Sequence, residues 1–95
     1  MIKLEIIGGP YDGKEYKFNK SIKIGRDKSA DISIYFDNFA SRIHTGLEIE
    51  GKKCILKDMN STNGTYIGNN KINEVELKDK DIFKVGRTLF KVEIY

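Results

Sequence analysis

Apolar residues in this chain recur at every second position, in runs too short for anything but strands. Ile2, Leu4 and Ile6 alternate with Lys3 and Glu5, and the same period returns in Ile22-Lys23-Ile24, Ile32-Ser33-Ile34, Leu47-Glu48-Ile49, Val75-Glu76-Leu77 and Leu89 to Ile94. A period of two puts successive side chains on opposite faces of an extended backbone, so each run reads as a half-buried strand. Between the runs lie Gly8-Gly9-Pro10, Asp12-Gly13, Asn19-Lys20, Glu50-Gly51-Lys52, Asn63-Gly64, Gly68-Asn69-Asn70 and Val85-Gly86-Arg87, the residue types that turns demand. No i, i+3, i+4, i+7 stripe runs long enough to make a helix. About ten short strands at this spacing predict an all-β fold, a two-sheet sandwich or a barrel. The stretch from Lys28 to Ile43 is the least regular, and Asp37 to Ser41 is expected to be an exposed loop.

Size and composition then narrow the class. A chain of 95 residues is one domain's worth, with no internal repeat, linker or low-complexity run, so residues 1–95 are expected to form a single unit. A hydrophobic share of 39% and a charged share of 33% fit a soluble globular protein. No run approaches the ~18 consecutive apolar residues that a membrane span needs. The N-terminal apolar run is interrupted by Lys3 and Glu5, unlike a signal peptide. One cysteine, Cys54, and one histidine, His44, leave neither an intramolecular disulfide nor a Cys/His metal cage. A cytoplasmic protein with no cofactor, no metal and no membrane partner is the expectation. The net charge of +3 comes from 17 basic against 14 acidic residues, interspersed as in Lys78-Asp79-Lys80-Asp81. Nucleic-acid binding would want a basic stripe interleaved with aromatics, so no nucleic acid is expected. No carboxylate pair or catalytic triad can be assembled, which argues against an enzyme.

Four motifs carry more chemistry than turns and strands require. Gly8-Gly9-Pro10-Tyr11-Asp12-Gly13-Lys14 fits the start of a phosphate-binding P-loop, but Glu15 stands where Ser or Thr is needed and Tyr16-Lys17-Phe18 continues as a strand. A hairpin turn is the better reading. Gly25-Arg26 ends the strand Ile22-Lys23-Ile24 and aims a guanidinium, a planar fork of donors that matches phosphate or carboxylate oxygens. Ser41-Arg42-Ile43-His44 pairs a serine with the only histidine. On an extended segment their side chains point to opposite faces, so no nucleophile–base contact is expected and His44 reads as structural. Asp58-Met59-Asn60-Ser61-Thr62-Asn63-Gly64-Thr65 holds more hydroxyl and amide groups than a turn around Asn63-Gly64 needs, and these can bind an outside anion or peptide backbone.

In this order and at these spacings, the motifs resemble the forkhead-associated, or FHA, domain. Its pattern runs Gly-Arg, Ser-x-x-His, Asp-x-x-Ser-Thr-Asn-Gly-Thr and Leu-x-x-Gly-Asp-x-x-x-x-Gly. Here it is met by Gly25-Arg26, Ser41 to His44, Asp58 to Thr65, and Leu77 with Asp81 and Gly86. The resemblance covers nearly the whole chain. It implies an all-β sandwich of two sheets and about eleven short strands, with binding loops at one end. It further implies a recognition module for a phosphothreonine-containing protein or peptide, a partner such as a Ser/Thr kinase or its substrate. Carried over by position, Arg26, Ser41 and Thr62 would contact phosphate, and Asn63 and Arg42 the peptide. Phe39 would face the third ligand residue after phosphothreonine; an exposed aromatic there suggests an apolar ligand residue, with an acidic one disfavoured. Gly25, His44 and Gly64 would shape the site. The family's seat for the threonine methyl implies preference over phosphoserine. A phosphate-independent interaction module on the same fold is the rival reading.

Two positions depart from the pattern. Gly68-Asn69 reverses the usual Asn-Gly order, which removes a side-chain contact from position 68. Lys80 stands where glycine usually precedes Asp81, which is read as a local turn adjustment.

Overall fold

Eleven strands carry the chain: β1 (Ile2–Ile7), β2 (Glu15–Phe18), β3 (Ile22–Gly25), β4 (Ile32–Ser33), β5 (Thr45–Glu50), β6 (Lys53–Asp58), β7 (Thr65–Ile67), β8 (Asn70–Ile72), β9 (Glu74–Leu77), β10 (Ile82–Val85) and β11 (Thr88–Ile94). The computed structural model describes all 95 residues. A six-stranded sheet has the order β2-β1-β11-β10-β7-β8, and a five-stranded sheet the order β4-β3-β5-β6-β9. Every pairing is antiparallel except β3 with β4. No helix is long and apolar enough to cross a membrane.

The period-two residues do what their spacing requires. Ile2, Leu4 and Ile6 of β1 point inward and pair with Ile94, Val92 and Phe90 of β11, so this six-pair ladder turns an apolar face to the core. Sixteen buried residues, from both sheets and, in Ile34 and Ala40, from the β4–β5 connection, form one core, with the Phe83 and Phe90 rings stacked at 5.4 Å. Burying a side chain of this size contributes about 1.5–3 kcal/mol, so the packed layer between the sheets is what holds the two together. Cys54 is wholly buried there, and burial pushes its thiol pKa up to about 11.

The irregular stretch behaves differently from its sequence reading. β4 is only two residues long, and Asp37 to Ser41 is not an exposed loop throughout: Asp37 and Ala40 are buried. The reason is local. The Asp37 carboxylate accepts hydrogen bonds from Phe39 N–H at 2.9 Å, Arg87 N–H at 2.8 Å and the Thr88 hydroxyl at 2.7 Å, which ties this loop to the β10–β11 turn. The would-be P-loop is the β1–β2 turn. In the Gly68-Asn69 turn only Gly68 has a positive φ, 59°, so the reversed order puts the permissive residue where the turn needs it. Lys80 does more than adjust a turn locally: at φ 76° it occupies the left-handed region as a residue with a Cβ.

Candidate functional site

The strand order gathers four connections at one end of the sandwich: β3–β4, β4–β5, β6–β7 and β10–β11. Their closeness starts with Gly25. A Cβ at that position would collide with the backbone carbonyl of Arg42, so only glycine lets β3 pass beside the β4–β5 loop. Backbone bonds then fix the two segments: Arg26 N–H to the Ser41 carbonyl at 2.9 Å, and Asp27 N–H to the Arg42 carbonyl at 3.0 Å. The Arg26 side chain leans across the loop, Nε donating to the Ala40 carbonyl at 3.1 Å. Its two terminal nitrogens are left without a protein partner.

Ser41 joins the β4–β5 and β6–β7 loops. Its Oγ accepts the Thr62 N–H at 3.0 Å, and its own proton remains free to donate outward. The Thr62 side chain is exposed beside it and has no hydrogen-bond partner within the protein. Asn63 Nδ2 donates to the Phe39 carbonyl at 2.9 Å, leaving the amide oxygen unused. Arg26, Ser41, Thr62, Asn63 and Phe39 are thus linked through a few direct contacts. Arg42 is exposed on the same loop, and its charge contributes to lowering the Asp27 carboxyl pKa, behind the 2.5 Å bond that carboxylate accepts from the Ser29 hydroxyl.

His44 and Gly64 lie underneath. The histidine is fully buried; its Nδ1 accepts from Ser41 N–H at 2.9 Å, and its Nε2 faces the Gly64 carbonyl at 2.7 Å. An Nδ1 that accepts and an Nε2 that donates define a neutral ring with the proton on Nε2. The serine–histidine relationship is therefore not that of a strand with side chains on opposite faces. Ser41 and His44 belong to a loop, and the histidine grips the serine's backbone rather than its hydroxyl. This geometry leaves the imidazole holding two loops in place and unable to act as a base toward Ser41 Oγ.

A second set of contacts, unforeseen in the sequence, stiffens the β6–β7 loop. Asp58 Oδ1 accepts from the hydroxyls of Ser61 at 2.6 Å and Thr65 at 2.8 Å, while Oδ2 accepts Ser61 N–H at 3.1 Å. Ser61 Oγ in turn accepts Gly64 N–H at 2.9 Å. Because Thr65 gives its proton to Asp58, the 2.8 Å contact between the Thr45 and Thr65 hydroxyls must have Thr45 as donor. Burial alone would raise the Asp58 pKa, but the bonds from Ser61 and Thr65 outweigh it, and the net shift is downward.

Arg87 is the other residue that periodicity could not find. Its guanidinium carbon sits 3.6 Å from the Phe39 ring centroid, and its side chain has no ion-pair partner. Phe39 is thus stacked against an unpaired cation rather than presented as a bare apolar tip. All three arginines of the chain lie at this end, none of them in an ion pair. With the Ser41 and Thr62 hydroxyls beside them, each with a proton still to donate, the loops present donors and positive charge together, an arrangement suited to a phosphate. No three His, Cys, Asp or Glu side chains come together as a metal-holding group.

Known proteins resemble this chain in sequence and in fold. The FHA domain-containing protein FhaA of Mycobacterium tuberculosis is 32% identical over 77 residues, 80% of this chain, and the chain spans 14% of FhaA's length. The FhaA FHA domain, solved in complex with the intracellular domain of Rv3910, is similar with a TM-score of 0.88 at 31% identity, over 98% of this chain and 100% of that one. A domain solved in an analysis of phosphothreonine-dependent FHA domain interactions has a TM-score of 0.89 at 30% identity, over 99% of this chain and 96% of that one. The FHA domain model matches residues 22–86, the span that holds Gly25-Arg26, the Ser41–His44 loop and the Asp58–Thr65 loop. By that match and by its two-sheet fold, this chain belongs to the FHA domain family.

Proposed function

We propose that this chain is a phosphothreonine-peptide recognition module that recruits a phosphorylated protein in Ser/Thr kinase signalling. FHA domains are interaction modules, and the solved relative studied for phosphothreonine-dependent interactions is similar over almost its whole length. The observation that carries the reading is the Arg26–Ser41–Thr62 cluster: a guanidinium with free terminal donors beside two hydroxyls with protons free to donate, on loops already fixed to one another. A dianionic phosphate accepts from such donors without a metal, and Asn63 and Arg42 flank it to hold the peptide backbone and neighbouring groups. Gly25, His44 and Gly64 keep the loops in register. The 95 residues act as one recognition unit.

Calorimetric titration with matched phosphothreonine, phosphoserine and unphosphorylated peptides tests this. Phosphothreonine should bind severalfold to about tenfold tighter than phosphoserine, as one seated methyl allows, and the unphosphorylated peptide should show no measurable binding. Equal affinity for phosphorylated and unphosphorylated peptides would sink the proposal.

A further inference from the structure

One row of side chains across the outer face of the six-stranded sheet has a charge pattern unlike the rest of that face. Register pairs Ile7 with Leu89, Leu89 with Lys84, Lys84 with Tyr66 and Tyr66 with Lys71. Residues paired directly across antiparallel strands share a face, and their chain neighbours Ile6, Phe90, Val85 and Thr65 are buried, so the row faces solvent. Leu89 is 37% exposed, and Lys84 Nζ lies 5.0 Å from the Tyr66 ring centroid.

The other rows of this face mix lysines with carboxylates: Glu15, Glu5 and Lys91 in one, Lys17, Lys3 and Glu93 in the next, with Lys3 paired to Glu15 and Glu93. Lys84, Lys71 and Lys91 enter no ion pair, and neither does Arg87. The carboxylates on this face, Glu5, Glu15 and Glu93, belong to β1, β2 and β11, and β10, β7 and β8 carry none on it. The row also adjoins the loop site at both ends. The Lys71 stem lies against Gly64, where a Cβ would come 2.9 Å from Lys71 Cε, and Leu89 follows closely on the Arg87 that covers Phe39.

We propose that this row is a second docking surface, and that it takes an acidic, leucine-bearing segment flanking the phosphothreonine of the same partner protein. The proposal rests on the phosphothreonine reading of the loop site. Uncompensated lysines call for carboxylates, and Leu89 with Ile7 calls for an aliphatic contact between them. Tyr66 is covered by Lys84, so it offers no open ring for stacking a nucleic-acid base. Five strands at a spacing of about 4.8 Å span roughly 19 Å, the reach of about six extended residues.

The test is calorimetric titration of a short phosphothreonine peptide against two longer ones, lengthened at one end or the other by about eight Glu, Asp and Leu residues to cover that reach. A Gly/Ser extension of equal length and an unphosphorylated oligo-dT serve as controls. One acidic extension should tighten binding by about threefold to tenfold, the gain two exposed charge pairs provide. The Lys71→Glu/Lys84→Glu double variant should erase that gain while leaving the short peptide's affinity and the thermal melt unchanged. If the short peptide binds but neither acidic extension helps, or the gain survives the double variant, the second surface is wrong and the phosphate site stands. Displacement of the acidic extension by oligo-dT, with the short peptide still bound, marks a general anion surface and overturns it too. If the short peptide itself fails to bind, both proposals fall.

Discussion

The guanidinium carbon of Arg87 stands 3.6 Å from the centroid of the Phe39 ring, a stacked contact between two loops remote in sequence. It has chemical consequences for ligand choice. Phe39 alone would present an apolar tip, whereas the stacked pair presents an apolar edge beneath a cation with no carboxylate partner. An oriented phosphothreonine peptide library should therefore accept Asp or Glu at the position facing Phe39, alongside aliphatic residues. Arg87→Glu should abolish acid selection there and leave the requirement for phosphate intact. Continued acid selection by the Arg87→Glu variant would show that another group reads this position.

Asp58 makes the β6–β7 loop sensitive to acid. Burial raises its pKa, the hydrogen bonds from Ser61 and Thr65 lower it, and the net position is below the ordinary aspartate value of 3.8. A group with a depressed folded pKa stabilises the fold fully above its unfolded value and loses that contribution as pH falls through the folded one. Thermal melts followed from about pH 5 to about pH 2 should fall more steeply for wild type than for Asp58→Asn, which titrates at neither state. Glu93, held low first by its bond from Lys3, and Asp27 contribute acid sensitivity of the same sign in both proteins and cancel in the comparison. Parallel slopes would mean that Asp58 is not held as described.

Much of the fold was legible because alternation is a local signal. Ile2, Leu4 and Ile6 announce an inward face without reference to any other part of the chain, and the glycine-rich turns mark where runs end. The residues that the fold brings together at the loop cluster stood out through motif spacing at Gly25-Arg26, Ser41 to His44 and Asp58 to Thr65. What stayed hidden depends on tertiary approach. Nothing near Asp37 in the sequence says that its carboxylate will accept from Arg87 N–H and Thr88 across fifty residues of separation. The Arg87–Phe39 stack is hidden for the same reason. An extended backbone at Ser41 to His44 would separate the two side chains, whereas loop geometry bends the His44 Nδ1 back to the serine's own N–H.

Lys80 offers a stabilising substitution. Its φ of 76° forces a Cβ into the left-handed region, which costs roughly 1–2 kcal/mol for an ordinary L-residue. The backbone is nonetheless fixed there, by Lys80 N–H to the Val92 carbonyl at 2.7 Å and Lys78 N–H to the Asp81 carboxylate at 2.7 Å. Lys80→Gly removes the steric cost, forfeits an exposed 3.5 Å pair with Glu93, and adds unfolded-state entropy. The balance should be a gain of about 0.5–1 kcal/mol, or roughly 2–8 °C in Tm for a domain of this size. A calorimetric melt of the variant at or below wild type would contradict the assignment of strain to this residue.

The loop cluster predicts an order among substitutions, which one contact sharpens. Arg26 alone in the cluster can give two parallel charge-assisted bonds to a phosphate. At roughly 1.5–3 kcal/mol for bonds to a charged group, Arg26→Ala should weaken phosphothreonine-peptide binding by about tenfold to over a hundredfold. Lysine keeps the charge without the fork and should restore only part of the loss. Thr62→Ala removes a single neutral hydroxyl and should cost least. Ser41→Ala removes a hydroxyl of the same kind, but that oxygen also accepts Thr62 N–H at 3.0 Å and so holds the two loops together. Its loss should therefore fall between the other two. Arg26, Ser41 and Thr62 lie outside the buried core, so each variant should melt within a few degrees of wild type. Titration of one phosphothreonine peptide into all four variants, with melts beside them, checks the order. Undiminished binding by a folded Arg26→Ala protein would mean that the phosphate is not held by this cluster.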